Sequence, residues 1–372
     1  MSHIRAIGLM SGTSCDGVDA LLLELDDPDR RHVPRVLGHA YRPFPAELQA
    51  QLRQPDQLRV PEISALGHAL ALRYAEVVRD LPQWDSAEVC GMHGQTVWHH
   101  PPSRGDSEAH TLQLGSSGVL AEALGMPVVG DMRSGDVALG GEGAPIAPIA
   151  HWMFTPPEHA GRLVVNVGGI ANVTFVAATS GDVVATDVGP GMMITDALAR
   201  WISEGALALD RDGTLSAGGR VVEAIVEHGL AHPFFARPLP RSTGREDFGE
   251  AYVAELRERF GEHEGADLLA SALELTARAI ARAATEELTG VTELLLTGGG
   301  ALHPGLRERV RARVDPLPVL VHDDGPLAPQ HHEPAAMALI AARTLRRLPS
   351  GLPRVTGARK PAILGHVRWP SP

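Results

Sequence analysis

The chain is short of cysteine: Cys15 and Cys90 are the only two in 372 residues, and neither sits in a CxxC. A disulfide framework is thereby excluded and a reducing compartment favoured. Positive charge is in deficit, with 33 Lys+Arg against 45 Asp+Glu and a formal net charge of −12. Binding a nucleic-acid backbone needs a basic face, so that class of partner is argued against. A small phosphorylated ligand stays open, because backbone N–H groups and a bound cation neutralise phosphate locally. No window reaches the roughly 18 uncharged apolar residues of a membrane span. Met1–Leu9 has no charged segment ahead of a long apolar run, so no signal peptide is expected. GxxxxGK[ST], GxGxxG and HExxH are all missing. The expected setting is cytoplasmic, with no nucleic acid and no membrane as partner.

What the chain has is glycine, 40 residues of it, clustered in short runs between apolar segments. Ile4–Met10 reads as a strand, Ser11–Gly17 as a turn of small residues, and Val18–Leu25 as a second strand. Val60–Leu81 has helical spacing, Val89–His93 reads as a strand, Val119–Leu124 as a helix and Pro127–Gly130 as a short buried strand. Asp131–Pro148 reads as a glycine-rich loop. The grammar then restarts: strands over Leu163–Val167, Ile170–Val176 and Val183–Thr186, and a helix over Met192–Trp201. A long helix over Leu268–Leu288, a strand over Glu293–Thr297, helices over Pro304–Val314 and Glu333–Arg347, and an edge strand over Ala362–Gly365 complete the reading. Two copies of one pattern, starting near residues 4 and 163, argue for an α/β fold of two similar domains.

Three constellations carry chemistry. In Gly12-Thr13-Ser14-Cys15-Asp16-Gly17-Val18-Asp19, a turn of small residues reads either as a nest of N–H groups for phosphate or as a plain Asp-Gly hairpin. Asp16 there could hold Mg²⁺, since hard cations take carboxylate oxygen. In Asp187-Val188-Gly189-Pro190-Gly191, an Asp at a strand end before a helix could accept a proton from a hydroxyl or water, or simply cap the helix. In Thr297-Gly298-Gly299-Gly300-Ala301, three glycines could let adenine and ribose lie on the backbone, or serve a turn that needs positive φ. Further polar clusters are Gly94-Gln95-Thr96, Asp131-Met132-Arg133, Gly140–Pro145 and Asn166–Asn172, the last containing Gly169. Arg133 offers a fork of donors to a carboxylate or phosphate. His99-His100, His228 with His232, and His331-His332-Glu333 raise zinc, but no third ligand is recognisable from spacing.

Read together, these blocks resemble the anhydro-N-acetylmuramic acid kinases. The resemblance is carried by Ile7-Gly8-Leu9-Met10-Ser11-Gly12-Thr13-Ser14, Asp16-Gly17-Val18-Asp19, His93-Gly94-Gln95-Thr96-Val97 and Leu112-Gln113-Leu114-Gly115. It continues through Gly130-Asp131-Met132-Arg133, Asp136-Val137-Ala138, Gly140-Gly141-Glu142-Gly143-Ala144-Pro145 and Asn166-Val167-Gly168-Gly169-Ile170-Ala171-Asn172. Asp187–Gly191, Ser242-Thr243-Gly244-Arg245-Glu246, Thr297–Ala301 and Glu333-Pro334-Ala335-Ala336 complete it, so it spans nearly the whole chain. It implies two RNase H-like domains of the actin, sugar-kinase and Hsp70 type, with ATP in the cleft between them. The first would cover 1–133 completed by about 335–372, the second 134–334. The activity implied is hydrolysis of the 1,6-anhydro bond of 1,6-anhydro-N-acetylmuramic acid and phosphorylation of O6 with ATP and Mg²⁺, a step of cell-wall recycling. Asp187 would activate the water. Gly12–Asp19, Gly169, Gly189 and Gly298–Gly300 would bind the nucleotide, Asp16 the metal, and Gln95, Thr96, Arg133 and Glu333 the sugar.

The chain departs from the family at Met192, where Asn is common, at Cys15 for Leu, at Arg241 for Lys and at His303 for Asn. Met192 keeps another anhydrosugar, such as levoglucosan, in view. A metal-dependent enzyme of the same superfold and a non-catalytic nucleotide sensor are the competing readings. The expected partners are a small sugar and ATP, with a homodimer left open.

Overall fold

The computed structural model describes residues 3–12, 15–105, 108–321 and 327–372. The chain divides into two compact units, Met1–Glu158 with Thr179–Val183 and His331–Pro372, and His159–Ala178 with Val184–Gln330. Among the described residues the strands are, in chain order, β1 (Ile4–Met10), β2 (Gly17–Leu25), β3 (Arg35–Pro43), β4 (Val89–Met92), β5 (Gln95–His100), β6 (His110–Leu114), β7 (Val128–Gly130), β8 (Arg162–Val167), β9 (Ile170–Phe175), β10 (Val184–Pro190), β11 (Glu293–Thr297), β12 (Val319–Leu320) and β13 (His366–Arg368).

The first unit is built on a sheet ordered β13-β7-β4-β1-β2-β3, and β5 pairs with β6 in a separate hairpin. The second unit holds the sheet β10-β9-β8-β11-β12. In the first, β1 runs antiparallel to β2 and parallel to β4, and β4 runs parallel to β7. In the second, β8 runs antiparallel to β9 and parallel to β11, and β11 runs parallel to β12. Apart from β13, each sheet therefore follows the order third-second-first-fourth-fifth, with only its second strand reversed. This is the RNase H-like arrangement, present twice, as the repeated grammar implies.

The central strands are nearly continuous apolar runs, as strands covered on both faces must be; Leu21, Leu22, Leu23 and Leu25 of β2 are all buried. The helix Val60–Arg79 packs Leu66, Leu70, Tyr74, Val77 and Val78 inward, at the spacing its sequence shows. The helix His332–Leu345 lies on the same sheet, against β1 and β4. Two glycines allow that approach. A Cβ on Gly8 would collide with the Pro334 carbonyl, and one on Gly91 with the Met337 carbonyl.

Several expected boundaries move. The strand expected to end at Thr186 continues to Pro190, with a bulge between Asp187 and Gly189. The long helix runs Gly265–Arg282 and then widens into a π-turn over Ala283–Glu287. The edge strand forms at His366–Arg368 rather than Ala362–Gly365, since Gly365 turns the chain at φ +87 just before it. Inside the expected 131–148 loop, Ser134–Ala138 is helical. Unforeseen were β3, a partly exposed edge strand without clean alternation, and the helices Ala46–Arg53, Glu223–Leu230 and Glu250–Phe260. Among the described residues no helix is long and apolar enough to cross a membrane.

Candidate active site

In the first unit the turn after β1 is held from below. Gln95 is fully buried; its carbonyl oxygen accepts from Ser11, and its Nε2 donates to the Gly12 carbonyl at 3.1 Å. The Cys15 N–H also donates to Gly12 O, at 3.1 Å. Cys15 itself takes φ +56, the left-handed conformation that alternates with right-handed residues in anion nests. The positive φ thus sits at Cys15 and not at Gly17. Gly17 is needed for another reason: a Cβ there would strike Arg42 O and the Tyr41 ring on β3. Thr13 and Ser14 lie outside the described residues. Asp16 is exposed, Val18 is buried, and Asp19 points from β2 to His39 Nε2 at 2.8 Å. Burial pushes the Asp19 carboxyl up, the His39 contact opposes this, and Asp16 adds to it.

Arg133, just after β7, is fixed by neutral acceptors. Its Nε and NH2 both reach His93 Nε2, at 3.0 and 2.8 Å, and NH1 donates to Gly143 O at 2.7 Å. His93 Nδ1 lies 2.6 Å from Gly94 O, so the proton sits on Nδ1 and Nε2 is the acceptor. Burial, then the Arg133 charge, hold the His93 imidazole down at about 3. Burial lowers Arg133 to about 10, against the pull of Glu333. Glu333 opens the helix His332–Leu345; desolvation pushes its carboxyl up, Asp19 adds and Arg133 opposes. Glu333 is thus the shared electrostatic neighbour of Asp19 and Arg133. Thr96 Oγ1 accepts from Gln113 Nε2 at 3.3 Å. Buried Asp136 closes the glycine loop, accepting from Gly143 N at 2.9 Å and Thr356 Oγ1 at 2.8 Å.

In the second unit Asp187 sits on β10, which forms the edge of its sheet. The Thr243 N–H donates to Asp187 Oδ2 at 2.9 Å, and the Asp187 N–H donates to Arg241 O at 3.0 Å. Burial pushes the Asp187 carboxyl up to about 6; the Thr243 bond opposes this and Glu246 adds to it. A carboxylate tuned towards neutrality suits general-base chemistry. The amides that lead into the helix Met193–Ile202 are already taken. The N–H groups of Gly191 and Met193 donate to Gly169 O, and that of Met192 to Gly168 O. Gly189 faces packing: a Cβ would lie 3.1 Å from Phe235 and 3.2 Å from Ala279. Gly298 takes φ +79, and a Cβ there would press on Val167 O. Gly300 would press on Met192, whereas Gly299 faces open space. Met192 is 9% exposed and belongs to the apolar core, so its side chain packs rather than presents a polar contact.

The histidine groups resolve into ordinary contacts. His228 Nε2 meets Glu255 at 3.1 Å, and His232 lies past its helix, accepting from Phe234 N and facing the Phe248 ring at 4.7 Å. Among the described residues no group of three His, Cys, Asp or Glu could hold a metal. Sequence reasoning missed the Arg241–Thr243 segment beside Asp187 and the His39 contact to Asp19. Thr243 lies in a block already noticed, but nothing local pairs it with a residue 56 positions away.

The doubled RNase H-like sheet places the chain in the α/β class of sugar kinases, actin and Hsp70 ATPases. A family model for anhydro-N-acetylmuramic acid kinase matches residues 4–370. The anhydro-N-acetylmuramic acid kinase of Shewanella amazonensis is 36% identical over 100% of both chains. That of Gloeobacter violaceus is 37% identical over 99% of each. A crystal structure of xylulose kinase from Rhodospirillum rubrum aligns with 99% of this chain and 94% of its own, at 14% identity and a TM-score of 0.46. The chain belongs to the anhydro-N-acetylmuramic acid kinase family.

Proposed function

We propose that this protein uses ATP to convert 1,6-anhydro-N-acetylmuramic acid to N-acetylmuramic acid 6-phosphate, with Asp187 as the base. The observation that carries this is the Asp187 carboxyl itself, raised to about 6 by burial, with Oδ2 tied to Thr243. Its ionised form takes a proton from water as the water oxygen attacks C1. The C1–O6 bond breaks, and O6 then attacks the γ-phosphorus, releasing ADP. The strained acetal is opened where its product is phosphorylated, so the step after hydrolysis needs mainly positioning and charge neutralisation.

In the first unit, the Gly12–Asp19 turn is the proposed phosphate cradle, supported by the left-handed Cys15. The exposed Asp16 carboxylate is a hard oxygen donor of the kind Mg²⁺ takes. Magnesium there would neutralise charge on the phosphates. Arg133, whose hydrogen bonds go to neutral acceptors, suits the carboxylate of muramic acid, with Thr96 and Glu333 for the sugar hydroxyls and Gln95 steadying the turn. In the second unit, Gly298–Gly300 is the proposed adenosine platform, with Gly299 facing open space. Gly169 and Gly189 are the remaining main-chain positions proposed to meet the nucleotide. The test is ADP release across a panel of anhydrosugars with Mg·ATP in ¹⁸O-water, read by mass spectrometry. Label at C1 of a 6-phosphosugar is the expected result. Absence of product at millimolar anhydromuramate sinks the proposal, and preference for levoglucosan reassigns the sugar.

A further inference from the structure

The open edge of β10 is covered by a short strap, residues 241–243, and the strap touches the proposed base at two points. Arg241 O accepts the Asp187 N–H at 3.0 Å, and Thr243 N donates to Asp187 Oδ2 at 2.9 Å. Between them, Thr186 Oγ1 accepts the Arg241 N–H at 2.9 Å and lies 3.1 Å from Arg241 O. A free strand edge would leave these groups to water. Here they fix one carboxylate oxygen. Asp187 Oδ1 has no hydrogen-bond partner among the described residues, which leaves it for a ligand.

The middle and far end of the strap are tied by Arg237 NH1, which donates to Ser242 O at 3.1 Å, and by Thr243 Oγ1, which donates to Asp247 Oδ2 at 2.8 Å. Its near end is held by the Arg241 side chain. It is 6% exposed, and it points away from Asp187 into the body of the unit. Its guanidinium bonds Glu287 Oε2 at 2.9 Å and Arg237 O at 3.1 Å, and lies 4.8 Å over the Phe234 ring. Glu287 is the last residue of the π-turn Ala283–Glu287 and also binds Arg282 at 3.0 Å. One added residue per turn displaces the helix end from its α-helical path, a device that recurs near functional sites. Here the displaced residue is the carboxylate that anchors the strap.

We propose that Arg241, anchored by Glu287 on the π-turn, is a positioning residue for Asp187: it sets the strap whose Thr243 amide ties Oδ2 and leaves Oδ1 to meet the attacking water. This rests on Asp187 being the base. The charged groups beside this contact are Glu246, which raises Asp187, and Asp247, both on the helix Arg245–Phe248, with Arg237 paired to Asp247 at 3.1 Å. None of them is altered in the variants below.

The experiment compares wild type, Arg241→Ala, Arg241→Lys and Glu287→Gln by the pH profile of kcat and by amide exchange of the peptide containing Thr243. In Arg241→Ala, kcat is expected to fall about 10- to 100-fold from misplacement of the base, with KM for ATP unchanged. Losing the Thr243 bond removes a stabiliser of the carboxylate, so the acid limb should move up by about one pH unit. Thr243 exchange should accelerate. Arg241→Lys, which keeps the charge pair, should recover most of kcat. If Arg241→Ala does not fold, Glu287→Gln reads the same quantities, since it keeps the aromatic cover and the backbone carbonyl bonds. A folded variant with wild-type kcat, acid limb and Thr243 exchange overturns the proposal. Wild type inert towards every anhydrosugar overturns the kinase reading instead, and Thr243 exchange then still decides whether Arg241 sets the strap.

Discussion

Arg133 grips His93 through two N–H groups on one ring nitrogen, Nε at 3.0 Å and NH2 at 2.8 Å. The ring is neutral, so it orients the guanidinium without cancelling its charge. A carboxylate in that position would pair with Arg133 and compete with an anionic substrate. His93→Ala should therefore weaken substrate capture: loss of a hydrogen bond to a charged group, roughly 1.5–3 kcal/mol, predicts a 10- to 100-fold lower kcat/KM for the sugar. KM for ATP should hold. Steady-state kinetics with the sugar varied check this, and an unchanged kcat/KM refutes the role.

Asp187→Asn should remove ring opening and phosphorylation together while leaving ATP binding intact. Label incorporation at C1 and nucleotide titration calorimetry read the two separately. A variant that still opened the ring would show that Asp187 is not the base.

The same carboxyl sets a pH limit. The base works ionised, and its pKa in the fold is about 6, so kcat should decline as pH falls through about 6. A profile flat down to about 4, the ordinary range of an Asp, contradicts the assignment.

Stability should move the other way. The fold raises Asp187 from 3.8 to about 6, so the native state holds the proton more tightly than the unfolded chain. This group's contribution is most favourable below the unfolded value and is lost as pH rises through the folded one. At neutral pH the ionised carboxylate costs at most about 3 kcal/mol, and Asp187→Asn should raise Tm there but not near pH 4. An equal Tm shift at both pH values would point to packing instead.

Gly8→Ala and Gly91→Ala each place a methyl against backbone of the helix His332–Leu345. Backbone cannot swing aside as a side chain does, so each should destabilise the first unit by about 3 kcal/mol. Urea unfolding measures it, and a shift below about 1 kcal/mol would mean the helix rides over the sheet freely.

Much of the fold was legible because its signals are local. The strands β1, β4, β8 and β11 are apolar runs cut by glycine, and the helix Val60–Arg79 has its buried residues at helical spacing. Gly17 is small because β3 stands beside it, and Gly189 because its φ of +149 and the nearby Phe235 and Ala279 disfavour a side chain; a strand edge or core wall leaves no mark in the glycine's own segment. The same holds for Thr243 at Asp187 and His93 at Arg133: each bond joins residues 40 or more positions apart, beyond any periodicity. Met192 looked like a lost polar contact; in the structure it fills apolar space against Gly300.

The helix that presses on Gly8 arrives more than 320 residues after it in the chain. During synthesis, β1 and β4 leave the ribosome long before their cover exists, while the second unit, complete by Gln330, has all its strands in hand. The order of synthesis therefore favours the second unit folding first and the first unit closing last, around a bare apolar sheet face. Chains cut short before His332 would present that face to other chains, making the segment from His332 onward the guard against aggregation as well as part of the fold.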